Sequence, residues 1–284
     1  MPTLATPEVQ LAYELDGRVQ DPVVVLLHGL GGQLIDWDEE VVRWLVQGGL
    51  CVLRFDARDS GLSSHLSQLG APSLPDIFAG AGAPYGLSDM AADLRALTGA
   101  LGIERVHLLG VSLGAMVAQR FAIDYPGSTL SLASLLGSTG AAGVGGPEPE
   151  LLSALANGEV RSGQQLAVMM ARPRSAEERG ELAERVKAED IRAPRDRAAL
   201  MRQLAAVVAA KDRTGELASL DLPALVLHGT SDPLVASSGG VATWQALPRA
   251  RLVLVAGLGH DLPTSVWPVL REEIQLLYRK AGRR

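Results

Sequence analysis

The feature that most constrains this chain is an alternation. Short, mostly apolar runs at 23–27, 51–55, 106–109, 130–136, 224–227 and 252–255 are separated by longer amphipathic stretches. Runs this short and this continuously apolar fit strands covered on both faces, since a strand with one wet face would alternate apolar and polar residues. Between them, 37–46, 88–101, 113–124 and 237–246 carry helical spacing, and 264–279 is expected to close the chain as a helix. Ser88, ahead of Ala91, offers one of these helices a cap without a full capping box. Strands and helices in this order predict an α/β architecture, a mostly parallel central sheet with helices on both faces.

One region breaks the alternation. From 140 to 219 no good strand is found; a Gly/Pro-rich entry at 143–149 leads into the Glu- and Arg-laden helical stretches 175–188 and 195–210. The expected organisation is therefore a core formed by 1–139 and 220–284, with 140–219 as a helical insertion. A second irregular stretch, 61–86, is rich in Ser, Pro and Gly and longer than a plain connection needs. A length of 284 residues suits one such core with one insertion.

Composition excludes several classes of function. There are 26 Lys and Arg against 32 Asp and Glu, a net charge of −6, which lacks the basic footprint of a nucleic-acid binder. Only three of the 26 cations are lysines, a skew read as compositional. Cys51, the single cysteine, lies in an apolar run and reads as a buried small hydrophobe, acceptable in a reducing compartment. Residues 1–20 show no basic region followed by an apolar stretch, so no signal peptide is expected. The uncharged 125–147 contains too much Gly, Ser and Pro to span a membrane, and a cytoplasmic location follows as the expectation.

The chemistry sits after the run at 106–109. Gly110-Val111-Ser112-Leu113-Gly114 leads directly into a helical stretch. A turn sharp enough to lift a serine Oγ clear of a sheet crowds its neighbours, and glycine on either side relieves the clash. About 0.2 matches to G-x-S-x-G are expected by chance in a chain this rich in glycine, so the position between strand and helix is what makes Ser112 a candidate nucleophile. Such a serine needs a base. Of the five histidines, His107 lies within a strand, His65 in the long loop, and His28 and His228 each end a strand in a His-Gly pair. His260 alone follows a glycine-rich turn, Ala256-Gly257-Leu258-Gly259, after the last strand, and is the candidate base.

The base in turn needs an acid to hold its tautomer. Asp232 follows the strand at 224–227 at the same sheet edge, Asp261 adjoins the base and points elsewhere, and Asp221 precedes its strand. Asp232 is thus the candidate acid, with an Asp-Pro turn as the competing reading. His28-Gly29-Leu30-Gly31-Gly32 follows the strand at 23–27, and the amides of Leu30 and Leu113 are the candidate oxyanion donors. His28, Gly29, Gly31, Gly110 and Gly114 support these loops. Neither glycine pair extends to a phosphate-binding motif, and no metal-ligand spacing occurs, so neither cofactor nor metal is expected.

The order Ser112, Asp232, His260 resembles the α/β-hydrolase superfamily, and 28–32 resembles its oxyanion loop. Phe55-Asp56-Ala57-Arg58-Asp59-Ser60-Gly61-Leu62-Ser63 is similar to that family's D-x-R-G-x-G-x-S segment, with Asp59 where the first glycine is usual. An R-D-S/T-G-x-S version is familiar in one esterase branch. Pro84-Tyr85-Gly86, the residues 88–93, and Gly259-His260-Asp261-Leu262-Pro263-Thr264-Ser265-Val266 resemble the same branch, that of the aclacinomycin methylesterases. The resemblance covers nearly the whole chain and implies a helical cap over the site, at 140–219. It also implies a serine carboxylesterase acting on a small-molecule ester, with no nucleic-acid or membrane partner.

Serine at 112 argues against the epoxide hydrolases and haloalkane dehalogenases of this fold, which use aspartate. Proline iminopeptidases, carbon–carbon bond hydrolases and perhydrolases keep the serine and remain alternatives. So does a ligand receptor that retains the fold without turnover. Within the cap, Leu166, Met169 and Met170 are the apolar candidates for sorting substrates, with packing of the cap's own helices as the competing role. The natural ester and the oligomeric state are left open by the sequence.

Overall fold

The computed structural model describes residues 1–151, 175–194 and 196–282. Eight strands form one sheet: β1 (Thr3–Ala5), β2 (Gln10–Asp16), β3 (Val23–Leu27), β4 (Cys51–Phe55), β5 (Val106–Val111), β6 (Thr129–Leu135), β7 (Ala224–Gly229) and β8 (Ala250–Val255). Their order is β1-β2-β4-β3-β5-β6-β7-β8. β1 and β2 pair antiparallel, as do β2 and β4, and every later pair is parallel. All six apolar runs fall on strands, β5, β7 and β8 extending slightly beyond them and β6 starting at Thr129 and leaving out Leu136.

Sequence reading missed β1 and β2. They lie at one edge of the sheet, where β2 keeps only Leu11 and Ala12 buried and presents Glu14 and Asp16 to Arg54 of β4 at 2.9 and 3.0 Å. Polar residues that serve an ion pair leave no apolar signature. Another difference concerns the helix α3 (Leu87–Ala100). Ser88 lies inside it, and the cap is Gly86, whose N–H donates to Asp89 Oδ2 at 2.7 Å.

The period of two along the strands sorts the core onto two faces. Val23, Val25 and Leu27 pack with Leu53, Leu108 and Val226 against α3 and α4 (Leu113–Asp124), while α1 (Glu39–Gln47) and a short α2 (Leu74–Phe78) precede these in the chain. Val24 and Leu26 turn the other way, with Val52, Leu109 and Leu227, toward Val42 and Leu45 of α1 and Leu270, Ile274 and Leu277 of the closing helix. The described residues between β6 and β7 hold no strand. They include α5 (Ala176–Arg192), α6 (Arg197–Val208) and α7 (Thr214–Leu217); α8 (Ser237–Ala246) and the closing α9 (Trp267–Ala281) follow. Leu166, Met169 and Met170 lie outside the described residues. No described helix is long and apolar enough to cross a membrane.

His107 is buried within β5, its Nδ1 2.8 Å from Ser131 Oγ. Burial, aided by Arg105, pushes its pKa down to about 4. In the unfolded chain the imidazole takes its proton near 6.5, so the unfolded state binds protons first as pH falls. About 3 kcal/mol of stability is therefore lost between about pH 6.5 and pH 4. The melting temperature is expected to fall over that window and to fall less steeply in His107→Asn, as thermal denaturation at pH 7, 5.5 and 4.5 would register.

Candidate active site

Four strand ends, those of β3, β5, β7 and β8, deliver their loops to the carboxyl edge of the sheet. After β5 the chain turns at Ser112, which adopts φ 56° and ψ −119°. A β-carbon at Gly110 would stand 2.2 Å from the Gly114 carbonyl oxygen, and one at Gly114 would stand 2.3 Å from that of Leu27. The helix start is thus pressed against both β5 and β3. Its backbone can leave the strand only through a left-handed residue, and the Ser112 N–H is tied to the Leu135 carbonyl at 2.9 Å.

The loops after β7 and β8 touch each other at Gly229, where a β-carbon would meet the Leu258 carbonyl oxygen at 2.2 Å. Thr230 N donates to Val255 O and Ser231 N to Leu258 O, both at 3.0 Å, so the two loops are tied together. That contact brings Asp232 beside His260. His260 Nδ1 lies 2.7 Å from Asp232 Oδ2, and His260 Nε2 lies 2.8 Å from Ser112 Oγ. All three sequence candidates are brought into one hydrogen-bonded line. Asp221, by contrast, sits at the far end of the sheet against Arg249.

Asp232 divides its two oxygens between the turn and His260. Its Oδ1 accepts the N–H groups of Leu234 and Val235 at 2.9 Å, closing the turn, and Oδ2 faces His260. His228, buried beneath, approaches Oδ2 at 3.3 Å and donates from Nε2 to the Val235 carbonyl at 2.7 Å. Burial works to raise the Asp232 pKa, but the bonds from His228, His260 and the turn outweigh it and hold the pKa down at about 2. The carboxylate is therefore charged across the neutral range. His228 thus contributes more than the end of a strand.

The loop after β3 lies beside Ser112. A β-carbon at Gly29 would be 3.4 Å from Ser112 Cβ. His28 accepts the Ala57 N–H at Nε2, 3.1 Å, so its proton is on Nδ1, which donates to the Gly29 carbonyl at 2.8 Å. Burial lowers its pKa and keeps the ring neutral. Leu30 follows in this loop, and Leu113 opens α4, where the first amides have no partner within the helix.

What sequence reading did not find is a group of buried polar contacts behind this loop. Arg192 of α5 bonds Asp56 Oδ2 at 2.8 Å and Gln33 Oε1 at 2.7 Å. Arg202 of α6 grips both oxygens of Asp59, at 2.8 and 2.6 Å. Asp59 has φ 64°, the left-handed backbone for which glycine is the easy choice. Its carboxylate also accepts from Tyr85 Oη and Leu66 N, each at 2.8 Å. The departure from the usual glycine thus supplies a seat for a cation 143 residues away. Read as a compositional skew, the arginines carried no signal of this. Among the described residues no group of three or more His, Cys, Asp or Glu side chains could hold a metal ion.

Comparison with known proteins bears on the family and the fold. Residues 22–263 match a family model described as the alpha/beta hydrolase fold. The chain is 29% identical to rhodomycin D methylesterase DnrP of Streptomyces peucetius, over 94% of each chain. A hydrolase from Pseudomonas aeruginosa PA01 superposes with a TM-score of 0.75 at 27% identity, covering 97% of both chains. The enol-lactonase of Burkholderia xenovorans LB400, at 22% identity and a TM-score of 0.76 over 97% of this chain and 99% of its own, shares the fold.

The contacts at the Ser112 turn are backbone on backbone and leave nothing flexible to move. Gly114→Ala is expected to lose about 3 kcal/mol or more. Gly127→Ala, where nothing lies within 4 Å, should stay within about 0.5 kcal/mol of the parent. Urea denaturation of the two variants side by side would check the contrast.

Proposed function

This chain belongs to the α/β-hydrolase fold family, and from that premise we propose that it is a carboxylic ester hydrolase working through an acyl-enzyme. The reading rests on one observation above the others, the hydrogen-bonded line Ser112–His260–Asp232. Similarity to a methylesterase over 94% of the chain supports the ester as substrate, of small to medium apolar or polyketide-like kind.

In the first step Ser112 Oγ attacks the ester carbonyl carbon and its proton passes to His260 Nε2. Asp232 holds the other nitrogen as the donor and offsets the imidazolium charge. The carbonyl oxygen becomes an oxyanion held by the amides of Leu30 and Leu113. As the tetrahedral adduct collapses, the carbon–oxygen bond to the alcohol breaks and His260 returns the proton to the leaving alcohol. Water then repeats the attack, His260 taking its proton, and the carbon–Oγ bond breaks to release the acid and restore Ser112. This sequence needs no cofactor or metal. Helices between 140 and 219 act in this reading as a cap that sorts substrates, and a cytoplasmic setting suits the buried, unpaired Cys51.

Ser112→Ala is expected to fold and to lose about 10⁴-fold or more in ester turnover, because the three residues act as a unit. A serine-directed phosphonate should label Ser112 and no other serine, read by peptide mass spectrometry. Asp232→Asn should lower kcat about 10²- to 10⁴-fold by releasing the imidazole tautomer. Normal turnover in the pure alanine variant would remove the assignment. A single burst without repeated turnover of a simple ester would indicate a receptor on the same fold.

A further inference from the structure

Leu200, Arg202 and Gln203 of α6 all reach the turns beneath that helix, and Gln203 is fully buried. Its amide uses every hydrogen it has. Nε2 donates to the Arg58 carbonyl and to Ser60 Oγ, each at 2.9 Å. Oε1 accepts the Gly31 N–H, also at 2.9 Å. The partners determine which end of the amide is which, since a backbone carbonyl only accepts and a backbone N–H only donates. One helical side chain therefore pins the 28–32 loop to the 56–60 turn.

That pin falls next to the oxyanion donor. The Gly29 carbonyl oxygen is held from two sides, by His28 Nδ1 at 2.8 Å and by Gly32 N at 3.1 Å. Because the peptide is planar and trans, the Leu30 N–H points opposite to that carbonyl. One side of Leu30 is fixed in this way. The other is its peptide with Gly31, whose N–H has Gln203 as its one hydrogen-bond partner among the described residues. Gly31 has φ 66°, and a β-carbon there would come within 2.8 Å of Leu200 Cδ1, so α6 also closes over it sterically. Arg202, one residue earlier, locks the rotation of the helix through Asp59 and through the Gly70 carbonyl at 2.9 Å.

We propose that Gln203 is a positioning residue for ester hydrolysis: through Gly31 it aims the Leu30 amide, so that the oxyanion site is complete only when α6 is seated. The inference rests on the hydrolase reading above. An oxyanion exists in the transition state and not in the bound ester, so a misaimed donor lowers kcat while leaving ground-state binding nearly alone.

The experiment compares Gln203→Leu, Gln203→Glu and the parent on a small activated ester, with a trifluoromethyl ketone as a mimic of the tetrahedral adduct. Gln203→Leu should lower kcat about 10- to 100-fold, less than loss of a direct donor, with KM within about threefold. Affinity for the ketone should weaken by the same factor as kcat/KM. Gln203→Glu keeps an acceptor for Gly31 and should recover part of the lost rate. An unchanged kcat in the leucine variant, a change confined to KM, or equal losses in both variants would overturn the proposal. Should the leucine variant fail to fold, Gln203→Asn, whose amide is one methylene short of Gly31, is judged by the same split. Absence of ester turnover in the parent would instead overturn the hydrolase reading, which keeps the two failures apart.

Discussion

The site depends on a contact with no side chains in it. Where α4 leaves β5, the backbone of Gly114 lies against the carbonyls of Leu27 and His28, and Gly110 lies against Gly114. Two bare positions let α4, β5 and β3 approach as closely as backbone permits. Ser112 is then the residue that must take the strained conformation, and its side chain is carried out of the sheet toward His260. Strain of this kind, about 1–3 kcal/mol, persists only where the surroundings leave no alternative, and the parallel pairing of β3, β5 and β6 removes the alternatives.

A second set of contacts answers a different need. Asp56, Asp59, Arg192 and Arg202 form buried or nearly buried ion pairs between the 56–60 turn and the helices α5 and α6. Desolvation offsets much of the attraction in such pairs, so they are poor evidence of net stability. Their geometric effect is clearer. A bidentate guanidinium on a carboxylate that also accepts from Tyr85 and Leu66 admits one orientation of the helix, and any slippage would strand charge in a dry interior. Burial alone would raise the Asp59 pKa, yet these bonds hold it below its ordinary value.

What was legible in the sequence follows from where each signal originates. Parallel strands covered on both faces write themselves as apolar runs, and turns that cannot hold a β-carbon write themselves as glycine, so 23–27, 110–114 and 257–260 could be read directly. Strands β1 and β2 could not, because an edge that pairs antiparallel and carries acids for Arg54 has no such run. Nor could α2, a single short turn of helix inside the irregular 61–86 stretch. The double duty of Asp232 was hidden for another reason. Turn closure and orientation of the base appeared as rival explanations, whereas a carboxylate has two oxygens and here each takes one task. Asp59 and Gln203 were illegible because their partners lie far along the chain, and long-range polar pairing leaves no local period to detect.

Together these contacts divide the molecule's work in an uneven way. Ser112, Asp232 and His260 hang from three parallel strands whose mutual register is set by the sheet, and α5 touches this set through Glu178 and Glu181, which accept from Ser265 and Thr264 after His260. The 28–32 loop is different. It leaves the same sheet edge, but its outer peptides are held by Gln203 and its next side chain, Gln33, donates to the carbonyls of Glu189 and Ala193, both at 2.9 Å. The loop is therefore shared between the sheet that aligns the triad and the helices that cover it. On the proposed reading, a change in those helices that shifts α6 would also turn the Leu30 amide. On the same reading, substrate preference varies most easily in those parts of the insertion that do not touch the 28–33 and 56–60 segments.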